Sequence, residues 1–136
     1  MKNIYLYCLL LFPCLALSDE SNKDYPNVHL QYSQNHCSSM HTQQEMNECS
    51  EVQYLAALKK LALVMSEMLS EEAQDTKYLH LLQSAHTQWK HSYRIDCELE
   101  TIDSWDGSAY TSLLHACFEL KINERLHYLE WLQSNV

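Results

Sequence analysis

Glycine is nearly absent from this chain of 136 residues, in which Gly107 is the only one. A glycine-rich phosphate loop and a G-x-S-x-G nucleophile turn each need at least two glycines, so both are excluded. The H-E-x-x-H pattern of metal-dependent hydrolases is also missing. Carboxylates are plentiful, but no pair stands out as a catalytic acid and base. The sequence therefore predicts a protein that is not an enzyme.

Proline is equally scarce, and neither Pro13 nor Pro26 falls in the region where helices are indicated. Thr42-Gln43-Gln44-Glu45 has the pattern of a capping box, which predicts the start of a long helix. The polar segment from Ser70 to Thr76 is the expected break after it. The apolar positions of this helix, mostly three or four apart, include Met46, Cys49, Leu55, Leu58, Leu61, Ala62, Met65, Met68 and Leu69.

Two further helices are indicated by the same periodicity, and no stretch alternates convincingly as a strand does. The stripe of the second helix is Leu79, Leu82, His86, Trp89, Tyr93 and Cys97. We expect Trp89 on this stripe to be a structural core residue. The third helix carries Leu113, Leu114, Cys117, Phe118, Ile122, Leu126, Leu129 and Leu132. The predicted fold is all-α, a small bundle of about three long helices.

Basic residues are few, with 9 Lys and Arg against 18 Asp and Glu. This balance argues against nucleic acid or anionic lipid as the main partner. It suits a basic protein partner, although solubility alone would also explain it. If residues 1–18 are removed, only Lys2 is lost from the charged set, and the net charge changes from −9 to −10.

The N-terminus has the pattern of a secretory signal peptide over residues 1–18. Lys2 is followed by an apolar run from Ile4 to Leu17, and Ala16 and Ser18 are the small residues of a cleavage site. A membrane anchor is the alternative, but the run is short and contains Pro13. A lipoprotein modified at Cys14 is a second alternative.

The polar residues 19–36 are expected to form a flexible lead-in to a helical domain over 37–136.

Four cysteines remain after signal removal: Cys37, Cys49, Cys97 and Cys117. In an exported chain they predict two disulfides that stabilise the fold. Three connectivities are possible, and sequence proximity favours Cys37–Cys49 with Cys97–Cys117. Each bond would contribute about 3 kcal/mol by the loop-entropy argument. Because His36 and His41 flank Cys37, a metal site is the alternative, but no paired C-x-x-C spacing supports it.

Gly107 lies between the second and third helices, in the dipeptide Asp106-Gly107. The pattern predicts a turn in which glycine adopts a positive φ, with Ser108 capping the next helix. The same segment holds aromatic and acidic side chains, and Trp105 and Tyr110 are expected to project on either side of the turn. It is a candidate contact site for a basic partner, the alternative being an ordinary solvated connector. The candidate partner-binding residues are Asp103, Trp105, Asp106 and Tyr110.

The chain from about Cys37 to Leu129 resembles the lysozyme-inhibitor LprI family. A first cysteine pair is followed by a long helix and by the segment "AHTQWKHSYRIDC", in which a cysteine follows Trp89 by eight residues. A Gly-Ser turn comes next, and then Cys117 with Arg125 eight residues later. Two positions depart from the pattern: His86 replaces a glutamine, and Tyr93 occupies the place of an arginine, so that Arg94 and Asp96 are displaced.

The resemblance implies an exported, helical, disulfide-bonded inhibitor that binds a basic lysozyme-type muramidase in the periplasm or outside the cell, with no cofactor or metal. It also implies a structural role for Arg125. Two other functions remain open: a periplasmic immunity or adaptor protein with a non-lysozyme partner, and an enzyme of the cell envelope. If the connector is not the contact site, the exposed side of the first helix around Glu67, Glu71 and Glu72 is the alternative.

Overall fold

A computed structural model of the protein describes residues 36–70 and 75–135. The predicted signal peptide, almost all of the predicted lead-in, and Glu71 and Glu72 fall outside these ranges. Within them the chain forms three long α-helices and two short 3₁₀ turns, with no strand, which confirms the predicted fold class. The helices are α1 (Gln43–Ser70), α2 (Thr76–Glu100) and α3 (Tyr110–Asn135), and the 3₁₀ turns are His36–Ser39 and Ile102–Ser104.

Helix α1 begins at the predicted capping box. The Thr42 hydroxyl accepts a hydrogen bond from the Glu45 backbone N–H at 3.2 Å, and the Glu45 carboxylate accepts one from the Thr42 N–H at 3.0 Å. Helix α2 has an aspartate cap instead, because Asp75 Oδ1 accepts from the Lys77 N–H at 2.9 Å. These side chains satisfy backbone donors that have no partner within the first helical turn. The polar segment between Ser70 and Thr76 therefore separates two helices, as predicted.

The three helices run up, down and up. Gln43 Nε2 at the start of α1 donates to Ser112 Oγ near the start of α3 at 3.1 Å. Further along, Lys60 Nζ lies 3.7 Å from the Glu130 carboxylate, so α1 and α3 are parallel. The end of α2 is bonded through Cys97 to Cys117 in the first third of α3, which makes α2 antiparallel to both.

The core lies between α1 and α3, and α2 packs against it. Its most buried side chains are Leu61, Met68, Cys97, Ile122 and Leu129. Most predicted apolar positions belong to this core, but Leu55, Ala62 and Leu69 of α1 and Leu113 of α3 are exposed. Tyr54 is buried in place of its neighbour Leu55 and stacks on His115 at 5.5 Å between ring centroids.

Both favoured disulfides are present, so the predicted connectivity is confirmed. Cys37 is bonded to Cys49, which holds the first 3₁₀ turn against the start of α1. Cys97 is bonded to Cys117, with Cα atoms 5.7 Å apart. Since Cys37 is oxidised, it offers no thiolate for the alternative metal site beside it. In the described ranges no helix is long and apolar enough to cross a bilayer.

Candidate functional site

The connector between α2 and α3, residues 101–109, is ordered by its own backbone hydrogen bonds. Thr101 is buried and its hydroxyl donates to the Cys97 carbonyl at 2.7 Å. Successive turns then follow, among them Ser104 N–H to the Thr101 carbonyl at 2.9 Å and Gly107 N–H to the Ser104 carbonyl at 2.8 Å. The Tyr110 N–H closes the series on the Gly107 carbonyl at 3.1 Å. The connector is therefore a chain of turns with a defined shape.

The sequence context predicts a positive φ at Gly107. The structure shows that Gly107 does not adopt one. No described residue of the connector has a positive φ, and Trp105 is in the right-handed helical region at φ −48° and ψ −44°. What makes glycine suitable is close approach: a Cβ at this position would lie 3.2 Å from the Ser104 carbonyl oxygen. The predicted cap at Ser108 is also wrong, since α3 begins at Tyr110 and Ala109 is the residue directly before it.

Trp105 of the connector packs against Tyr110, the first residue of α3, so the two rings do not project on either side of the turn. The rings of Trp105 and Tyr110 meet edge to face, with centroids 5.0 Å apart and planes inclined at 64°. Trp105 nevertheless keeps 59% of its surface exposed. The side chains of Asp103 and Asp106 are exposed on the same connector. The structure thus brings the four candidate partner-binding residues into one short segment, with the indole supported by the phenol.

Exposed aliphatic side chains extend this surface along the last turns of α2. Ile95 and Leu99 are four residues apart, which places them on one face of α2, and Ile102 follows in the 3₁₀ turn after the helix ends. Their exposed fractions are 51%, 70% and 55%. Sequence analysis did not select these residues, although their helical spacing next to Trp105 was visible in the sequence. Exposed apolar groups in a row, surrounded by acids, are typical of interaction surfaces.

Charge is distributed unevenly along the bundle. We call residues 36–53 and 94–118, which meet where α1 begins and α2 ends, the acidic end. This part of the chain contains eight carboxylates and a single Lys or Arg side chain, Arg94. The rest of the described chain contains five carboxylates and six Lys or Arg side chains. The carboxylates of the acidic end are Glu45, Glu48, Glu51, Asp96, Glu98, Glu100, Asp103 and Asp106.

Three contacts fasten the acidic end to the core. The Cys97–Cys117 disulfide links α2 to α3, and Lys121 Nζ forms a 2.9 Å ion pair with the Glu100 carboxylate. Arg94 Nη2 reaches the Tyr54 hydroxyl at 3.4 Å. The connector is thus held on a rigid base, which lowers the ordering cost of binding.

The departure from the family pattern at Tyr93 has a structural explanation. The Tyr93 ring is 2% exposed and packs edge-on against Phe118 at 5.6 Å, where it fills the core. Arg94, displaced by one position, lies outside and covers both rings at 5.7 Å from each centroid. The guanidinium therefore contributes cation–π contacts from the surface of the core.

Trp89 and Arg125 form a second cluster near the middle of the bundle. Trp89 is partly buried against the core, stacks on Tyr93 with centroids 4.6 Å apart, and is covered by Arg125 at 5.6 Å. His86 stacks on the indole itself, with ring centroids 5.6 Å apart. Burial, together with the positive charges of Arg125 and Lys90, lowers the pKa of His86 to about 4. The imidazole is therefore neutral near pH 7.

Among the described residues no group of three or more His, Cys, Asp or Glu side chains is arranged to hold a metal ion. The surface that stands out is instead a rigid, acidic and partly aromatic end of a disulfide-bonded helical bundle. Surfaces of this kind are typical of small protein-binding domains. The alternative binding surface around Glu67 does not belong to the acidic end. Glu67 lies in the second half of α1, where its side chain is exposed.

Comparison with known proteins agrees with this class. A family model described as "Lysozyme inhibitor LprI" matches residues 33–129, which is well over half of the chain. The protein therefore belongs to the LprI lysozyme inhibitor family. No curated protein and no solved structure gives a significant match.

Proposed function

We propose that the protein is exported to the periplasm or the cell exterior, where it inhibits a basic lysozyme-type muramidase by binding it through the acidic end. The observation that carries the proposal is the connector itself. It presents an exposed indole beside two exposed aspartates, within a family of lysozyme inhibitors. Aromatic side chains are frequent binding hot spots.

Charge supports the choice of partner. Lysozyme-type enzymes are usually basic, since they act on polyanionic cell-wall material. The carboxylates of the acidic end would steer such an enzyme towards Trp105. The rest of the bundle, where acidic and basic side chains are mixed, would attract it less. Electrostatic attraction of this kind raises the association rate more than the final affinity.

Apolar contact supplies the remaining binding energy in this proposal. Ile95 and Leu99 near the end of α2, and Ile102 in the 3₁₀ turn before Trp105, are exposed aliphatic side chains. Burying apolar surface contributes about 25 cal/mol per Å². Three such side chains with an aromatic anchor fit the centre of an interface, and the surrounding carboxylates fit its polar rim.

The direct test is a lysozyme titration with the oxidised chain that begins at Asp19. The clearing rate of a cell-wall suspension is measured at fixed lysozyme and increasing amounts of the protein. We expect dose-dependent, saturable slowing that is weaker at high salt. If clearing is unaffected while a pull-down from cell-envelope extract recovers another protein, the immunity or adaptor alternative replaces the inhibitor.

A further inference from the structure

A pocket unconnected with the acidic end lies between the first turns of α2 and the last turns of α3. Its volume is about 180 Å³. Its walls are mainly aliphatic, two tyrosines form part of its rim, and one cationic side chain reaches it. The residues that line it are Tyr78, Leu81, Leu82, Ala85, Tyr128 and Leu132, together with Arg125.

Arg125 is the unusual member of this set. Its Nε and Nη2 atoms are closed off from solvent and have no hydrogen-bond partner within the described part of the chain. The guanidinium lies between the rings of Trp89 and Tyr128, 5.6 Å and 5.0 Å from their centroids. Ring faces attract a cation but do not replace the acceptors that its N–H groups lose on burial. The cation is therefore incompletely compensated.

We propose that this pocket binds small monocarboxylates with an apolar body, using Arg125 as the counter-charge. The aliphatic walls would cover the apolar body, since an apolar cavity of about 150 Å³ is enough for a benzene ring. The carboxylate would face the guanidinium, the side chain best suited to a planar oxyanion. Tyr128 covers the cation and is 46% exposed, and in this proposal its ring turns outward so that the carboxylate reaches the guanidinium.

The groups around Arg125 favour an anion over a cation. His86 is its titratable neighbour on α2, and the imidazole, which also lies near the positive charge of Lys90, is neutral near pH 7. Burial also lowers the pKa of Arg125 itself, which shows that its charge is poorly solvated. A bound carboxylate would compensate the poorly solvated charge of Arg125. It would not have to displace an anionic side chain of the described chain.

The test uses phenylacetate and its uncharged analogue 2-phenylethanol, titrated into ¹⁵N-labelled protein near pH 7 and followed by NMR. Phenylacetate is expected to shift the Trp89 indole N–H and the Arg125 Nε–H in a saturable way. The Trp105 indole, at the opposite end of the bundle, is the internal control and should not move. We expect phenylacetate to bind about fivefold or more tightly than the alcohol.

Two matched variants locate the site. Leu81→Glu places a carboxylate at the rim of the pocket, and Leu99→Glu places one at another exposed leucine of the same helix outside it, the two being 58% and 70% exposed. Leu81→Glu should weaken phenylacetate binding about tenfold, whereas Leu99→Glu should leave it unchanged. Equal binding of acid and alcohol, equal effects of the two variants, or no saturable shift at Trp89 would each overturn the proposal. None of these readouts depends on lysozyme.

Discussion

The guanidinium of Arg125 lies over the indole of Trp89, 5.6 Å from its centroid, and this contact joins α2 to α3. It gives a physical reason for two features of the family pattern, a tryptophan eight residues before one cysteine and an arginine eight residues after another. Because Cys97 and Cys117 are bonded, equal spacing in antiparallel helices returns the two side chains to the same level. The disulfide and the cation–π pair thus link α2 to α3 at two successive levels along the helices.

Trp89→Ala should destabilise the protein far more than Trp105→Ala. Trp89 packs against the core, and truncating a buried large aromatic costs about 3–5 kcal/mol; a partly buried one falls near the lower value. Trp105 is mostly exposed and contacts mainly Tyr110. Urea denaturation of both variants measures the difference. Equal losses of unfolding free energy would contradict the packing described for Trp89.

The two disulfides should differ in function although they are similar in stability. Replacing either pair by alanine removes a cross-link worth about 3 kcal/mol. Only the loss of Cys97–Cys117 releases the base of the connector, so only that variant should also lose inhibition when assayed well below its melting temperature. The Cys37→Ala/Cys49→Ala variant is the matched control. An equal loss of inhibition in both variants would show that inhibition does not depend specifically on the connector.

Gly107 should tolerate alanine but not valine. Its φ is not left-handed, so alanine meets only the 3.2 Å contact with the Ser104 oxygen, which opposes the entropic gain of replacing glycine. The Gly107→Ala change should stay within about 0.5 kcal/mol of the parent. The bulkier Gly107→Val should cost about 1–3 kcal/mol through overpacking. A severe loss with alanine would indicate a strained backbone, contrary to the geometry found here.

Acidification from pH 7 to pH 4 should destabilise the protein through two partly buried histidines, His86 and His115. The pKa of His86 is lowered from 6.5 to about 4, and burial also lowers that of His115. In this range the unfolded chain binds protons that the folded chain does not, so stability falls as the pH falls. Melting temperatures across the range should decline less steeply for His86→Gln/His115→Gln. An identical slope would assign the acid sensitivity to other groups.

Much of the fold was predictable because its signals are local. The capping box at Thr42 and Glu45 needs four residues, and the stripe from Leu79 to Cys97 needs only helical periodicity. The side of α1 that faces the core was less clear, because Tyr54 and Leu55 are both able to pack and only the tertiary arrangement selects the tyrosine. The cysteine pairing followed from proximity along the chain.

The connector was harder to predict for a physical reason. Asp-Gly favours positive φ as a local tendency, but consecutive right-handed turns from Thr101 to Tyr110 override it. The contact between Trp105 and Tyr110 depends on that path and has no spacing signature. The pocket at Arg125 depends on two helices that meet only in the folded chain, so the sequence indicated the arginine but not its unpartnered nitrogens.

The most direct test of the proposed binding surface compares two double variants in the lysozyme titration. Trp105→Ala/Asp106→Asn alters the connector, and Trp131→Ala/Glu67→Gln removes a similarly exposed tryptophan and one carboxylate at the opposite end of the bundle. We expect the first to weaken inhibition by about tenfold or more with an almost unchanged melting temperature, and the loss due to the charge to shrink at high salt. The second should inhibit like the parent. Parental inhibition by Trp105→Ala/Asp106→Asn, especially with a loss in the opposite-end variant, would contradict the account and place the binding surface near Glu67.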